Sequence, residues 1–291
     1  MTWRTVIISS RAKLELRLNY LLIRRDDLKK IFLSEISTII IESTSVAITS
    51  ALMCELIKRK IKVIFCDEKR NPCFELAGYY GSHDCSNKLR NQVAWSKETK
   101  DNVWACIVAD KIKRQRDLIR HYGFDQEAEL LNSYIDEIQP GDISNREGHA
   151  AKVYFNALFG MNFSRKLTCD ENSALNYGYA VILSAFNREI VANGCVTQLG
   201  IFHNNTDNRF NLGCDMMEPF RPLIDKLVYE SHFKEFGPSE KHKVVDVLNK
   251  EVRVNDSKQY VSNAIKTYCK SILDAMFDNC PDLINCYNYE F

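Results

Sequence analysis

The sequence predicts an α+β protein: a small β-rich domain over residues 1–82, a linker over 83–88 and an all-α helical domain over 89–291. Three observations carry that prediction. Residues 1 to about 80 alternate in the strand period of two. From about residue 89 onward, apolar residues recur at helical spacing almost to the end. Between these regions, Gly81-Ser-His-Asp-Cys-Ser-Asn87 is polar and rich in turn formers, which marks a boundary.

In the first domain, Val6-Ile-Ile-Ser-Ser10, Leu14-Glu-Leu-Arg-Leu18 and Leu21-Leu-Ile-Arg24 read as short strands, with a turn at Asn19-Tyr20. Ile36-Ser-Thr-Ile-Ile-Ile-Glu42 is β-branched and reads as a further strand. Ser45 to Lys60 shifts to helical spacing, with Ile48, Leu52 and Leu56 on one stripe. Lys62-Val-Ile-Phe-Cys66 and Phe74-Glu-Leu-Ala77 return to strand character. In the second domain, helices are expected over Asn102–Tyr122, Gln126–Ile138, Arg146–Leu158, Ala174–Ala192 and Ser257–Phe277. The helix over 174–192 is apolar nearly all round, which predicts a central position. The first of these helices carries Trp104, Val108, Ile112 and Ile119 on its apolar stripe, with Lys113, Arg116 and Arg120 opposite.

Bulk properties exclude several classes. The 39 Lys and Arg nearly cancel 38 Asp and Glu, giving a formal charge of +1, so any basic footprint is local. The eleven cysteines form no C-x-x-C pair and are odd in number, so reduced buried thiols are expected in place of a zinc ribbon or disulfide framework. No signal peptide is expected at Met1-Thr-Trp-Arg, and the apolar region Ile36–Ile57 is broken by Glu42 and Glu55, so no membrane partner is expected. The expected location is cytoplasmic, with association to the nucleoid.

Three windows carry chemistry. In Asn145-Arg-Glu-Gly-His-Ala-Ala151, small residues leave open space around Glu147, although an acid in a first helical turn is also favoured by the dipole alone. In Leu199-Gly-Ile-Phe-His-Asn-Asn205, His203 falls in a loop after a strand-like Cys195–Leu199 and suits either a divalent metal or a surface hydrogen bond. In Asp215-Met-Met-Glu-Pro-Phe-Arg-Pro-Leu-Ile-Asp225, Asp215 reads as an N-cap and Glu218 as the third helical residue reaching back to it. Pro222 should then kink the helix. Glu147, His203 and Glu218 together are an oxygen and nitrogen ligand set for Mg2+ or Mn2+, and one that zinc would also accept. Arg146 and Arg221 could hold phosphate oxygens in a fork, or pair with nearby carboxylates. Lys113, Arg116 and Arg120 could track a nucleic-acid backbone, or form a solvated face interleaved with Asp110 and Asp117.

Taken in order, Arg146-Glu-Gly-x-Ala-Ala-x-x-Tyr-Phe155, Asn176-Tyr-Gly-Tyr179, Gly200-x-x-His203 and Asp215-x-Met-Glu-Pro-Phe-Arg-Pro222 resemble the CRISPR adaptation integrase family. The Glu-Pro-Phe-Arg-Pro form resembles members from type II systems most. The resemblance spans the whole chain. It implies a metal-dependent endonuclease and integrase that joins the 3′-OH ends of short prespacer duplexes to the leader-repeat by transesterification. It places the family's three metal ligands on Glu147, His203 and Glu218, with Mg2+ or Mn2+ as cofactor. Many members carry Asp at the third position, so Glu218 is a variation, and Asp215 stands open as a sharer in coordination. The implied partners are double-stranded DNA, a second copy of the chain paired through the amino-terminal domain, and a small companion adaptation protein in a heterohexamer. In type II systems the RNA-guided effector nuclease joins them. Two other readings stay open at this point: a DNA-binding scaffold without catalysis, and a hydrolase that uses water at the same site.

Overall fold

Ile36, Ile39, Ile40 and Ile41 are buried on both faces of their strand, which places this apolar run inside a sheet and not at its edge. The computed structural model describes residues 4–25, 27–68, 70, 72–79, 84–231, 233, 235–254 and 257–288, and the chain divides into two units, Met1–Gly81 and Ser82–Phe291. The first contains β1 (Arg4–Ile8), β2 (Ala12–Arg17), β3 (Tyr20–Arg24), β4 (Leu28–Phe32), β5 (Ile36–Ile41), β6 (Val46–Ile48), α1 (Ser50–Lys58), β7 (Lys62–Cys66) and β8 (Pro72–Glu75). One sheet runs β1-β5-β7-β8, the other β4-β3-β2-β6. β5 lies parallel to both β1 and β7, pairing Ile40 with Ile7 and with Ile64. The β2–β3 hairpin turns at Leu18 and Asn19, both in the left-handed region, one residue before the turn expected from the sequence. Leu52 and Leu56 of α1 close the core over Leu14, Leu21, Ile39 and Val63. The expected helix from Ser45 starts later, because Val46–Ile48 pairs with β2 and Thr49 caps α1 through its hydroxyl.

The second unit contains α2 (Cys85–Val93), α3 (Lys97–His121), α4 (Asp125–Asp136), α5 (Arg146–Phe159), α6 (Asp170–Ala192), α7 (Asn211–Met216), α8 (Arg221–Ser231), α9 (Pro238–Val245), β9 (Glu251–Val254), β10 (Ser257–Tyr260), α10 (Val261–Asp278) and β11 (Tyr287–Asn288). The expected linker over 83–88 meets helix from Cys85, while residues 81–83 lie outside the described residues. The α+β class holds, with one addition: the helical unit also carries a sheet, in the order β10-β9-β11. α6 is the central helix, packed by α7, α8, α9 and α10. Gly178 of α6 makes that packing close, because a Cβ there would stand 2.5 Å from Ile224 of α8.

All eleven cysteines are free, but burial was overestimated: only Cys66, Cys195 and Cys269 are buried, while Cys54, Cys73 and Cys286 are exposed. Cys54 shows why, since it lies off the Leu52–Leu56 stripe of α1. No helix among the described residues is long and apolar enough to cross a membrane.

Candidate active site

α3 is capped at its start by Ser96, whose hydroxyl accepts the Thr99 amide, and buries Trp104, Ile107, Val108, Lys111, Gln115 and Leu118 along one face. Lys111 is therefore a charge in an apolar stripe, two turns from Trp104. Such a charge persists only where partners neutralise it. Its Nζ stands 2.6 Å from Glu147 Oε1 and 2.5 Å from Glu218 Oε2. Burial alone would push the ammonium down, and the Glu218 and Glu147 carboxylates more than reverse this, so it is held above the ordinary lysine value.

Glu147 is the second residue of α5. The helix is capped from upstream: Asp142, buried and at positive φ, accepts the amides of Arg146 at 2.8 Å and Glu147 at 3.0 Å. Asn145 takes a left-handed conformation so that the chain can turn into the helix. The first two amides of the helix are satisfied by Asp142, and the Glu147 side chain is left to serve a cation.

His203 is held by Asp215. The Asp215 carboxylate is fully buried and accepts the amides of Ile201 at 2.6 Å, Phe202 at 3.1 Å and His203 at 3.0 Å. Its Oδ1 also lies 2.6 Å from His203 Nδ1. This contact is the largest cause holding the imidazole above its usual value. A carboxylate on one ring nitrogen orients the other outward for a ligand. Gly200 permits the arrangement, since a Cβ there would stand 2.3 Å from the His203 carbonyl and 2.8 Å from Asp215 Oδ2. Asp215 thus lies inside α7 and caps a loop, not the helix start expected from the sequence. The strand expected at Cys195–Leu199 is absent as well. That segment gives its backbone groups to the Gln92 amide, through Val196 and Leu199, and to Asn211, through Gln198.

Glu218 opens a 3-10 turn, Glu218–Phe220, between α7 and α8. The expected kink at Pro222 is replaced by a fresh helix start, where Pro222 is the second residue of α8 and its missing amide costs little. Burial raises the Glu218 carboxyl, but Arg221 and Lys111 outweigh it and keep Glu218 ionised. Arg221 Nη2 bonds Glu218 Oε1 at 2.8 Å, and its guanidinium stands 4.8 Å over the Tyr179 ring. The Tyr179 hydroxyl donates to Asp225, as does Tyr154. From the other side, the Tyr287 hydroxyl donates to the Pro219 carbonyl at 2.8 Å, and its ring packs 4.4 Å from Phe220.

The structure thus gathers Glu147 and Glu218 on one ammonium and sets His203 within their electrostatic reach. Arg221 joins them. Arg146 does not: it pairs with Glu137 at 2.9 Å and lies over Tyr134. Arg116 pairs with Asp117 and Asn132, and Arg120 with Glu129, so these two guanidiniums engage α4 instead of forming an open row with the exposed Lys113. Lys111, Asp142 and Tyr287 were missed, while Tyr154 and Tyr179, which lie within the family motifs, are buried and meet at Asp225. Of the three, Lys111 left a sequence signal, a charge at heptad spacing from Trp104 and Leu118.

Among the described residues, no three His, Cys, Asp or Glu side chains form a group that could hold an ion as they stand. The donor chemistry nonetheless suits a divalent metal. Two glutamates already share a cation, Glu218 Oε2 lacks an aligned hydrogen bond despite its contact with Lys111, and His203 is oriented by a carboxylate.

Comparison with known proteins identifies the family. A family model described as "CRISPR associated protein Cas1" matches residues 5–236. The CRISPR-associated endonuclease Cas1 of Neisseria meningitidis serogroup C (strain 8013) is 34% identical over 260 residues, covering 87% of this chain and 86% of the relative. A solved structure described as "Casposase bound to integration product" superposes with a TM-score of 0.74 at 17% identity, covering 95% of this chain and 91% of that one. Another, "Cas6-RT-Cas1--Cas2 complex", superposes with a TM-score of 0.77 at 14% identity, covering 99% of this chain and 36% of that longer one. At these identities the two structures share the fold.

Proposed function

Because the chain belongs to the Cas1 family, we propose that Glu147, His203 and Glu218 bind Mg2+ or Mn2+ and that the protein joins the 3′-OH ends of short DNA duplexes to the leader-repeat during spacer acquisition. The observation that carries this reading is the Lys111 ammonium held between Glu147 and Glu218, beside a histidine oriented by Asp215. These residues form a place built for positive charge, where the phosphate backbone of DNA and a metal can meet. When bound, the divalent ion would polarise a phosphoryl oxygen and steady the leaving oxygen.

The chain's own residues have definite tasks in such a reaction. Asp215 keeps the proton on His203 Nδ1, so that Nε2 carries the lone pair. Glu147 and Glu218 are held close together on Lys111, and Glu218 stays ionised. Arg221, fixed by Glu218 and Tyr179, offers its remaining N–H groups to a phosphate oxygen. In the exchange, the DNA 3′ oxygen forms a bond to phosphorus as the repeat's own P–O3′ bond breaks. The attacking hydroxyl loses its proton to solvent, and the leaving oxygen takes one up.

The reading extends to partners: a homodimer formed through the amino-terminal unit, a Cas2-like companion in a heterohexamer, and the RNA-guided effector nuclease. The name of the "Cas6-RT-Cas1--Cas2 complex" supports the companion. Hydrolysis with water as nucleophile is a second reading, favoured by the word endonuclease in the Neisseria relative's name. Incubating the protein and companion with a labelled prespacer duplex and leader-repeat DNA tests both readings. Joined product with Mg2+ or Mn2+ and none with chelator supports integration. Cut repeat without joining supports hydrolysis. Equal DNA binding with no covalent change in any metal leaves a scaffold.

A further inference from the structure

Phe202 is half exposed, at 51%, although it sits one residue before His203. Its ring lies flat on Trp104, with centroids 4.5 Å apart and planes 1° from parallel. His203 meets both rings edge-on, at 5.8 Å from Phe202 and 6.0 Å from Trp104. Trp104 is buried in α3, and the Phe202 amide donates to the buried Asp215 carboxylate, so the exposed ring is fixed from below and through its own backbone. A cover for Trp104 needs only an aliphatic side chain. A half-exposed flat aromatic next to His203 suits a ligand that carries a flat ring of its own.

We propose that Phe202, stacked on Trp104, is a platform for one unpaired nucleobase at or next to the reacting DNA end, an inference that rests on the DNA-joining reading above. The base would form the third layer of the stack and set the approach of its phosphate toward His203 and Glu218. Stacking of this kind tolerates any base, since each presents a π-face. The subsite would therefore favour frayed or single-stranded ends over fully paired ones, without reading their sequence.

The test uses the full chain, with chelator present so that metal binding plays no part. Short duplexes with a 3′ overhang carry 2-aminopurine, or an abasic site, at each of the last two positions in turn. The expected result is quenching of 2-aminopurine at one position in the wild type, retained in Phe202→Tyr and lost in Phe202→Leu. Phe202→Leu should weaken binding of the normal overhang by roughly 5- to 150-fold. The abasic site should weaken wild-type binding similarly and leave Phe202→Leu binding unchanged. Absence of quenching in the wild type at both positions overturns the platform without requiring any variant to fold. Equal affinity of wild type and Phe202→Leu for the normal overhang overturns it too. Failure of the wild type to bind any of the duplexes would instead remove the DNA-joining reading, and the platform with it.

Discussion

Lys111 places its ammonium 2.5 Å from the buried Glu218 carboxylate, and the same nitrogen reaches Glu147 on another helix. α3 thus joins α5 to the turn before α8 through one charge. Removing that charge leaves two carboxylates crowded in a dry setting, which costs about 3–5 kcal/mol where a buried pair is broken. Lys111→Met is expected to lower the melting temperature in chelator, and Mn2+ should raise it more in the variant than in the wild type. Thermal unfolding with and without Mn2+ checks this. Identical Mn2+ shifts in both proteins would mean that Lys111 does not occupy ground the ion would share.

Asp215 serves three amides and one imidazole. Asp215→Asn keeps one oxygen, enough for the Ile201 and Phe202 amides, but turns an NH2 group toward the His203 amide and Nδ1 and so spoils the choice of tautomer. Metal affinity or joining is expected to fall by roughly 10- to 100-fold, with a stability loss of about 1–3 kcal/mol for the one orphaned amide. Asp215→Ala also orphans the amides and should cost several kcal/mol, at about 1–3 for each unsatisfied group. Mn2+ titration alongside urea unfolding separates the two variants. Equal metal affinity in Asp215→Asn and wild type would contradict the orienting role.

Tyr287 braces the Glu218–Phe220 turn through the Pro219 carbonyl. Tyr287→Phe keeps the ring against Phe220 and loses only the hydroxyl, so the stability loss should be about 0.5–1.5 kcal/mol. If the brace positions Glu218, joining should fall further than DNA affinity does. A matched loss of both would reduce Tyr287 to packing.

Burial pushes the Asp225 carboxyl up to about 6, against the hydrogen bonds from Tyr179 and Tyr154 that draw it down. An unfolded aspartate titrates near 3.9. Between those values the folded protein binds more protons than the unfolded chain. Unfolding free energy from this group therefore falls as pH rises from about 4 to about 6, by at most about 3 kcal/mol, and is level above that. Asp225→Asn should show a flatter profile over that range in denaturant titrations. Parallel profiles would show that Asp225 ionises freely in the fold.

Much of this arrangement could be read from the residues because the signals are local. β5 announces itself through Ile39-Ile-Ile41, and α6 through a run apolar on every face. Glu147, His203 and Glu218 stood out through ordered motifs, each window ambiguous by itself. What could not be read depends on distant partners. Asp215 looked like a cap because Asp-x-x-Glu suits one, yet its amide donors lie twelve to fourteen residues upstream, in the loop at 201–203. Cys195–Leu199 alternates like a strand, but its backbone is satisfied by side-chain amides from α2 and α7. β9 escaped notice because it is only four residues long, and Ser257-Lys-Gln-Tyr260, read as the start of the last helix, pairs instead with β9 as β10, so that α10 begins at Val261.

The central claim is that metal held by Glu147, His203 and Glu218 drives DNA joining. Its most direct measurement is strand joining of a labelled 3′-OH duplex to leader-repeat DNA in Mn2+, comparing wild type with Glu218→Gln, which is nearly isosteric. Circular dichroism and DNA affinity are measured on the same samples. The account predicts that Glu218→Gln folds, binds DNA within a few-fold of wild type, and joins at least 100-fold more slowly. Joining by Glu218→Gln at the wild-type rate in Mn2+ would contradict it.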